Sequence, residues 1–218
     1  MTSSNHSLRA VIFDYGRVLS LSPSDADWAA LAAATDLPLP TLMHRYWHFR
    51  DGYDRKEVHA PEYWSQVAGR ELTENEVTEL IAMDDAQWTR VHPEMLSLAR
   101  ELKEAGLKIA ILSNMQADML RVMRAKFEWL SEFDVQMYSC EVGMVKPTRE
   151  IYLECARRLA VEPAQALFLD DKQPNVEGAE RAGMHGLLFH GQRQEAERKL
   201  AELGAVFGVP GSRPTVRR

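Results

Sequence analysis

Unbroken apolar runs alternate with amphipathic stretches along most of this chain. Leu8-Arg9-Ala10-Val11-Ile12-Phe13 is the first run, and its continuity and β-branched content predict a buried strand. Leu107 to Leu112 and Ala166 to Leu169 predict two more, and the shorter Val135 to Tyr138 and Leu187 to Phe189 complete a set. Between the runs, apolar residues recur at helical spacing. Met95, Leu98, Ala99 and Leu102 follow Pro93 and close at Gly106. Met119, Met123, Phe127 and Leu130 mark another helix, as do Ile151, Cys155 and Leu159. Pro174 to Ala182 ends at Gly183, and residues 192–203 read as a polar-faced helix. This alternation predicts an α/β fold on a doubly wound, Rossmann-like parallel sheet.

Residues 20–90 break the pattern, because they predict helices and no strand. Ser24 is an N-cap with Asp27 three residues on, followed by Trp28, Leu31 and Ala32 on one face of a helix over 24–34. Residues 39–50 read as a helix carrying Tyr46, Trp47 and Phe49. Pro61 suits the first turn of a helix over 61–68, ended by Gly69. Thr73-Glu74-Asn75-Glu76 is a capping box ahead of Val77, Leu80 and Ile81. An all-helical insertion over 23–90 therefore interrupts a core formed by 1–22 and 91–207. From Gly208 the chain is rich in Gly, Pro and Arg, and residues 208–218 are expected to be a disordered tail.

Composition narrows the function classes. A length of 218 residues allows one α/β core with an insertion. The net charge of −6 argues against a nucleic-acid surface. Two cysteines, Cys140 and Cys155, are too few for a disulfide framework and suit a reducing compartment. No apolar run approaches the roughly 20 residues that span a bilayer, so no membrane role is expected. Met1 to Ser7 is polar and does not read as a signal peptide, so the expected location is the cytoplasm. Nothing in the chain demands more than a monomer.

The candidate chemistry lies just past the apolar runs. Asp14 follows the first strand and precedes Gly16, where open α/β sheets place their sites. Ser113-Asn114 follows the second, Lys146-Pro147 precedes a helix, and Asp170-Asp171 follows the run ending at Leu169. Each has an ordinary reading alone: a cap, a solvated Lys, a charged turn. Together they suggest one crevice, in which crowded carboxylates would favour a hard divalent cation. Asp84-Asp85 serves as a contrast, since its helical flanks predict plain surface charge. His44 and His48 lie four residues apart but lack a third ligand, and they read as ordinary helix residues. The aromatics Tyr46, Trp47, Phe49, Tyr53 and Trp64 predict packing within the insertion.

The order of these four sites resembles the four motifs of the haloacid dehalogenase (HAD) superfamily. Gly143 to Tyr152 resembles its third motif, and Phe168 to Ala179, with Asn175, Gly178 and Ala179, its fourth. The insertion over 23–90 falls where that superfamily places a small helical cap. Asp14-Tyr15-Gly16-Arg17-Val18-Leu19 is most similar to the branch containing an alpha-D-glucose-1-phosphate phosphatase. The resemblance implies a Mg²⁺-dependent phosphatase acting on a small phosphorylated metabolite through an aspartyl-phosphate on Asp14. It implies that Asp14, the Gly16 carbonyl and Asp171 hold the metal, with Asp170 behind them or acting through water. Ser113, the Asn114 backbone and Lys146 would hold the phosphate.

One departure stands out. Phosphatases of this superfamily mostly carry an acid–base Asp two residues after the nucleophile, and this chain has Gly16 there. The enzyme would then be slow, or restricted to good leaving groups, or supplied with a proton by solvent or by His48, Arg50 or Tyr53. Alternatively, it keeps phosphate binding without catalysis. A metal-independent 2-haloacid dehalogenase is the rival enzyme, and Asp170-Asp171 argues against it.

Overall fold

The computed structural model describes residues 7–206 and 215–216. The chain opens with β1 (Ala10–Phe13) and a tight turn, Tyr15–Leu19. Five helices follow: α1 (Asp25–Thr35), α2 (Leu39–His48), α3 (Arg50–Asp54), α4 (Ala60–Ala68) and α5 (Glu74–Trp88). Next come α6 (Pro93–Glu104), β2 (Lys108–Ser113), α7 (Ala117–Lys126), β3 (Val135–Tyr138) and α8 (Ser139–Val142). The last elements of the core are α9 (Arg149–Leu159), β4 (Ala166–Asp170), α10 (Gln173–Arg181), β5 (His185–Leu188) and α11 (Arg193–Glu202). Most of the tail expected to be disordered lies outside the described residues; Thr215–Val216 pairs antiparallel with Ala205–Val206.

The five long strands form one parallel sheet in the order β3-β2-β1-β4-β5. Side chains alternate between its two faces with the period of two that a strand imposes. Val11, Phe13, Ile109, Ile111, Leu167 and Leu169 join one apolar cluster with α6 and the five-helix block. Ala10, Ile12, Ala110, Leu112, Ala166 and Phe168 face the opposite cluster, with α9 and α10. Strands buried on both faces explain the unbroken apolar runs. Ser24 and Thr73 form the capping boxes that their spacing predicts, and Gly69 closes α4 at a φ of 75°. Two expected helices are shorter than their apolar spacing suggests. Phe127 turns to an extended conformation, so α7 stops at Lys126 and Leu130 sits in a short turn, Glu128–Glu132. Phe49 (ψ −3°) separates α2 from α3. Among the described residues no helix is long and apolar enough to cross a membrane.

The reading of Asp84-Asp85 as surface charge is overturned. Asp84 is 1% exposed and Asp85 6%. Packing of α5 against α1, α4 and α7 covers them. Asp84 accepts hydrogen bonds from Tyr46 (2.6 Å), Gln87 (2.8 Å), Arg50 (3.1 Å) and Gln116 (3.3 Å). A buried carboxylate survives only when so paired. Asp85 is less well served, since its Oδ1 is buried without a partner. Burial, then Asp84 and Asp118, push its carboxyl up to about 7. The folded state thus holds a proton that the unfolded chain, near the ordinary Asp value of about 3.9, releases. Stability tied to Asp85 is therefore full below about pH 4 and declines as pH rises towards about 7. Asp85→Asn is expected to melt close to wild type at low pH and above it at about pH 8. Thermal unfolding of both proteins across that range checks this.

Candidate active site

The sheet register brings the site together. Phe13 is paired with Ile111 and Leu169, so Asp14, Ser113 and Asp170 leave adjacent strands at nearly one level. Strand order reverses around β1, and a crevice opens at the carboxyl ends of β2, β1 and β4. The Asp14 N–H donates to the Leu169 carbonyl (2.9 Å). The turn after it is pinned twice: the Tyr15 hydroxyl donates to the Trp88 carbonyl (2.8 Å), and the Arg17 N–H to Ser20 Oγ (3.2 Å).

Lys146 is the central cation. It is buried, with Nζ 2.8 Å from Asp14 Oδ1 and 2.6 Å from Asp170 Oδ2. Asn114 sets its position. The Asn114 side chain donates to the Lys146 carbonyl (3.0 Å) and accepts from the Lys146 N–H (2.9 Å). That reciprocal pair ties the loop after β2 to the loop before α9. It commits the Asn114 side chain to the scaffold.

Asp170 is wholly buried and highly constrained. Besides Lys146, it accepts from the Lys172 N–H (2.8 Å) and from Asn175 Nδ2 (3.0 Å to each oxygen). Asn175 is itself held by the Tyr152 hydroxyl at its carbonyl (2.8 Å). Asp171 pairs with Arg17 at 3.2 Å. Burial raises the Asp170 carboxyl, and Lys146 opposes that rise. Burial and then Asp14 raise Asp171, with Arg17 opposing. Burial alone would lower Lys146; its two carboxylate partners outweigh it and hold the ammonium above the usual lysine range.

A crevice of about 80 Å³ is lined by Asp14, Gly16, Ser113, Asn114, Lys146 and Asp171. Asp170 supports it through Lys146 and Asn175. Arg17, Trp47, Arg50, Asp54, Trp88 and Lys172 line it too. Of these, Arg50 was a named candidate, and its guanidinium is already committed to Asp54, Asp84, Tyr46 and Gln116. The other two candidate proton sources are elsewhere. His48 is exposed and stacks on His44 (centroids 5.7 Å apart), and the Tyr53 hydroxyl donates to Asp118 at 2.9 Å. Tyr46, Tyr53 and Trp64 are buried in packing, as the helical insertion requires.

The donor set fits a hard cation. One carboxylate oxygen each from Asp14, Asp170 and Asp171 can be chosen so that all three lie within 4.8 Å of one another. Asp14 Oδ1 is buried and makes no well-angled hydrogen bond, despite its short distance to Lys146. Three gathered carboxylates beside one buried ammonium suit Mg²⁺, which takes oxygen ligands. Gly16 leaves room for more. Its φ is −63°, and a Cβ there would meet only Trp88 at 3.7 Å and Asp14 Oδ2 at 3.9 Å. Neither backbone conformation nor space demands glycine at this position.

Comparison with known proteins agrees with this arrangement. A family model described as haloacid dehalogenase-like hydrolase matches residues 6–183. Phosphatase MT3486 of Mycobacterium tuberculosis (strain CDC 1551 / Oshkosh) is 28% identical over 222 residues, covering 94% of this chain and 99% of that protein. Acyl-CoA dehydrogenase family member 10 of Mus musculus is 27% identical over 97% of this chain, which spans only 21% of that protein's length. Among solved structures, a HAD family enzyme of Bacteroides thetaiotaomicron complexed with magnesium and inorganic phosphate superposes with a TM-score of 0.66. Identity there is 16%, over 83% of this chain and 93% of that one. The L-2-haloacid dehalogenase of Xanthobacter autotrophicus gives a TM-score of 0.61 at 21% identity, over 89% of this chain and 83% of that one. At such identities the likeness is one of fold.

Proposed function

Since this chain belongs to the haloacid dehalogenase-like hydrolase family, we propose that it is a Mg²⁺-dependent phosphatase of small phosphomonoesters. Sugar phosphates are the first class to test. The observation that carries this reading is the cluster of Asp14, Asp170 and Asp171, the first two paired with the buried Lys146. In this reading residues 23–90 form a cap over a core of residues 1–22 and 91–207.

Asp14 attacks phosphorus, the ester P–O bond breaks, and the phosphoryl group rests on the Asp14 carboxylate until water releases it. Dividing the reaction this way replaces one hard step with two easier ones. Ser113, the Asn114 backbone N–H and Lys146 hold the non-reacting oxygens, and the positive Lys146 offsets charge that builds on them. Asp14, Asp171 and the Gly16 carbonyl would hold Mg²⁺, with Asp170 behind them. The metal's contribution would be neutralisation of phosphoryl charge and orientation of the phosphate.

The test is phosphate release from a panel of sugar phosphates and nucleotides. Turnover that requires Mg²⁺ and vanishes with a chelator is the expected result. Chloride release from 2-haloacids without metal would instead support a dehalogenase. Saturable phosphate-ester binding with no turnover would mean that Gly16 marks a binding protein.

A further inference from the structure

The crevice has a nucleophile, phosphate-binding groups and a candidate metal set, but Gly16 supplies no group to protonate the leaving oxygen. We infer that Asp54, on α3 of the helical insertion, is the acid and base of this site. The inference rests on the phosphatase reading and adds the proton path that it lacks.

Three observations place Asp54 in that role. It lines the crevice that holds Asp14, and it lines the open depression outside it, with Arg17, Trp47 and Lys172. It is a carboxyl outside the Asp14, Asp170 and Asp171 cluster. Its own hydrogen bonding is incomplete. Oδ1 accepts from Arg50 Nε at 3.0 Å, while Oδ2 accepts no hydrogen bond among the described residues.

The charge balance of the buried network says where a proton resides. Arg50 is shared between two buried carboxylates, Asp54 at 3.0 Å and Asp84 at 3.1 Å. One cation does not neutralise two buried anions, so one carboxyl is driven towards its neutral form. Asp84 has four donors around it. Asp54 has one donor to its carboxyl. The titratable groups facing it are Arg50 and Asp51 from its own stretch, Tyr63 from α4, Cys140 from α8 and Lys172 from the loop after β4. Burial, opposed by Arg50 and Lys172, raises its carboxyl above the ordinary range. A carboxyl raised in this way holds its proton more firmly than an ordinary Asp and can give it up to a basic leaving oxygen.

The remaining lining groups serve poorly. Arg17 and Arg50 do not deprotonate in proteins. Lys146 is clamped between two carboxylates, and the Tyr15 hydroxyl is committed to the Trp88 carbonyl. Lys172 stands over the Trp47 ring, 4.6 Å from its centroid, and is the rival donor.

The proton cycle balances. As Asp14 attacks phosphorus, the leaving alkoxide takes the proton of the Asp54 carboxyl and departs as the alcohol. The Asp54 carboxylate then accepts a proton from the water that attacks the aspartyl-phosphate. The P–O bond to Asp14 breaks, inorganic phosphate leaves, and both carboxyl groups return to their starting forms.

The experiment compares two esters, p-nitrophenyl phosphate, whose leaving group needs no proton, and an alkyl phosphate, whose leaving group does. Asp54→Asn is expected to lower kcat on the alkyl ester by about 10²-fold and on the aryl ester by no more than about 3-fold. The ratio of the two rates is independent of how much variant is folded, so a merely structural role for Asp54 leaves it unmoved. Adding Gly16→Asp to Asp54→Asn is expected to restore much of the alkyl-ester rate. Equal losses on both esters would overturn the inference while leaving the phosphatase reading intact. So would a selective loss in Lys172→Met that Asp54→Asn lacks. Absence of turnover of either ester by the wild type with Mg²⁺ would remove the phosphatase reading, and this inference with it.

Discussion

Asp14→Asn is expected to lower kcat by about 10⁴–10⁶-fold, the scale of loss when a covalent nucleophile is removed from a hydrolase. The amide cannot form the acyl phosphate, so the remaining groups can only bind and orient the ester. The variant should still fold, because Lys146 retains its 2.6 Å partner Asp170 and β1 retains its ladder. Affinity for inorganic phosphate should survive where turnover does not. Steady-state kinetics beside phosphate-binding calorimetry separates the two. A variant that kept most of its rate would show that Asp14 only positions water.

Lys146→Met is expected to harm both stability and catalysis. The ammonium is buried between Asp14 and Asp170, and removing it leaves two buried carboxylates crowded together. Removing one partner of a buried ion pair typically costs about 3–5 kcal/mol. The stranded carboxyls should then bind protons more readily in the folded state than unfolded. By linkage the stability deficit should be smaller in acid and grow as pH rises. Urea unfolding of wild type and variant at about pH 5 and about pH 8 checks both size and sign. Loss of the cation should also lower kcat by about 10²–10³-fold, as when one oxyanion-stabilising donor is removed.

Most of the sheet, and the carboxylates and phosphate-binding groups of the proposed centre, were legible in the sequence because their signals are local. A strand buried on both faces writes itself as an unbroken apolar run, and the residue just past the run lies at the carboxyl end of that strand. Asp14, Ser113 and Asp170 are of that kind. The Ser24 and Thr73 boxes are equally local, each a side chain bonded to a backbone three residues away.

What stayed hidden depends on packing between elements distant in sequence. Asp84 reads as surface charge from its flanks, yet it lies one helical turn from Leu80 and from Trp88, on the buried stripe with Val77. Strict attention to that spacing would have found it. No local pattern announces that Gln116, past β2, reaches both Arg50 and Asp84 across the insertion. Asp54 was missed for a related reason. Its spacing of four from Arg50 is visible, but only the tertiary structure shows the pair facing the crevice rather than solvent. Arg17 sits three residues after Asp14 and becomes a partner of Asp171 only because the turn carries it back, through a φ of 60°, across the carboxyl ends of the strands.

The central claim is that Asp14 carries the phosphoryl group. The most direct measurement is an acid quench during steady-state turnover with Mg²⁺, followed by peptide mass spectrometry. The account predicts phosphate covalently attached to Asp14 in the wild type, absent when the metal is chelated and absent in Asp14→Asn. Substrate consumption with no phosphate on Asp14, together with sustained turnover by Asp14→Asn, would contradict it.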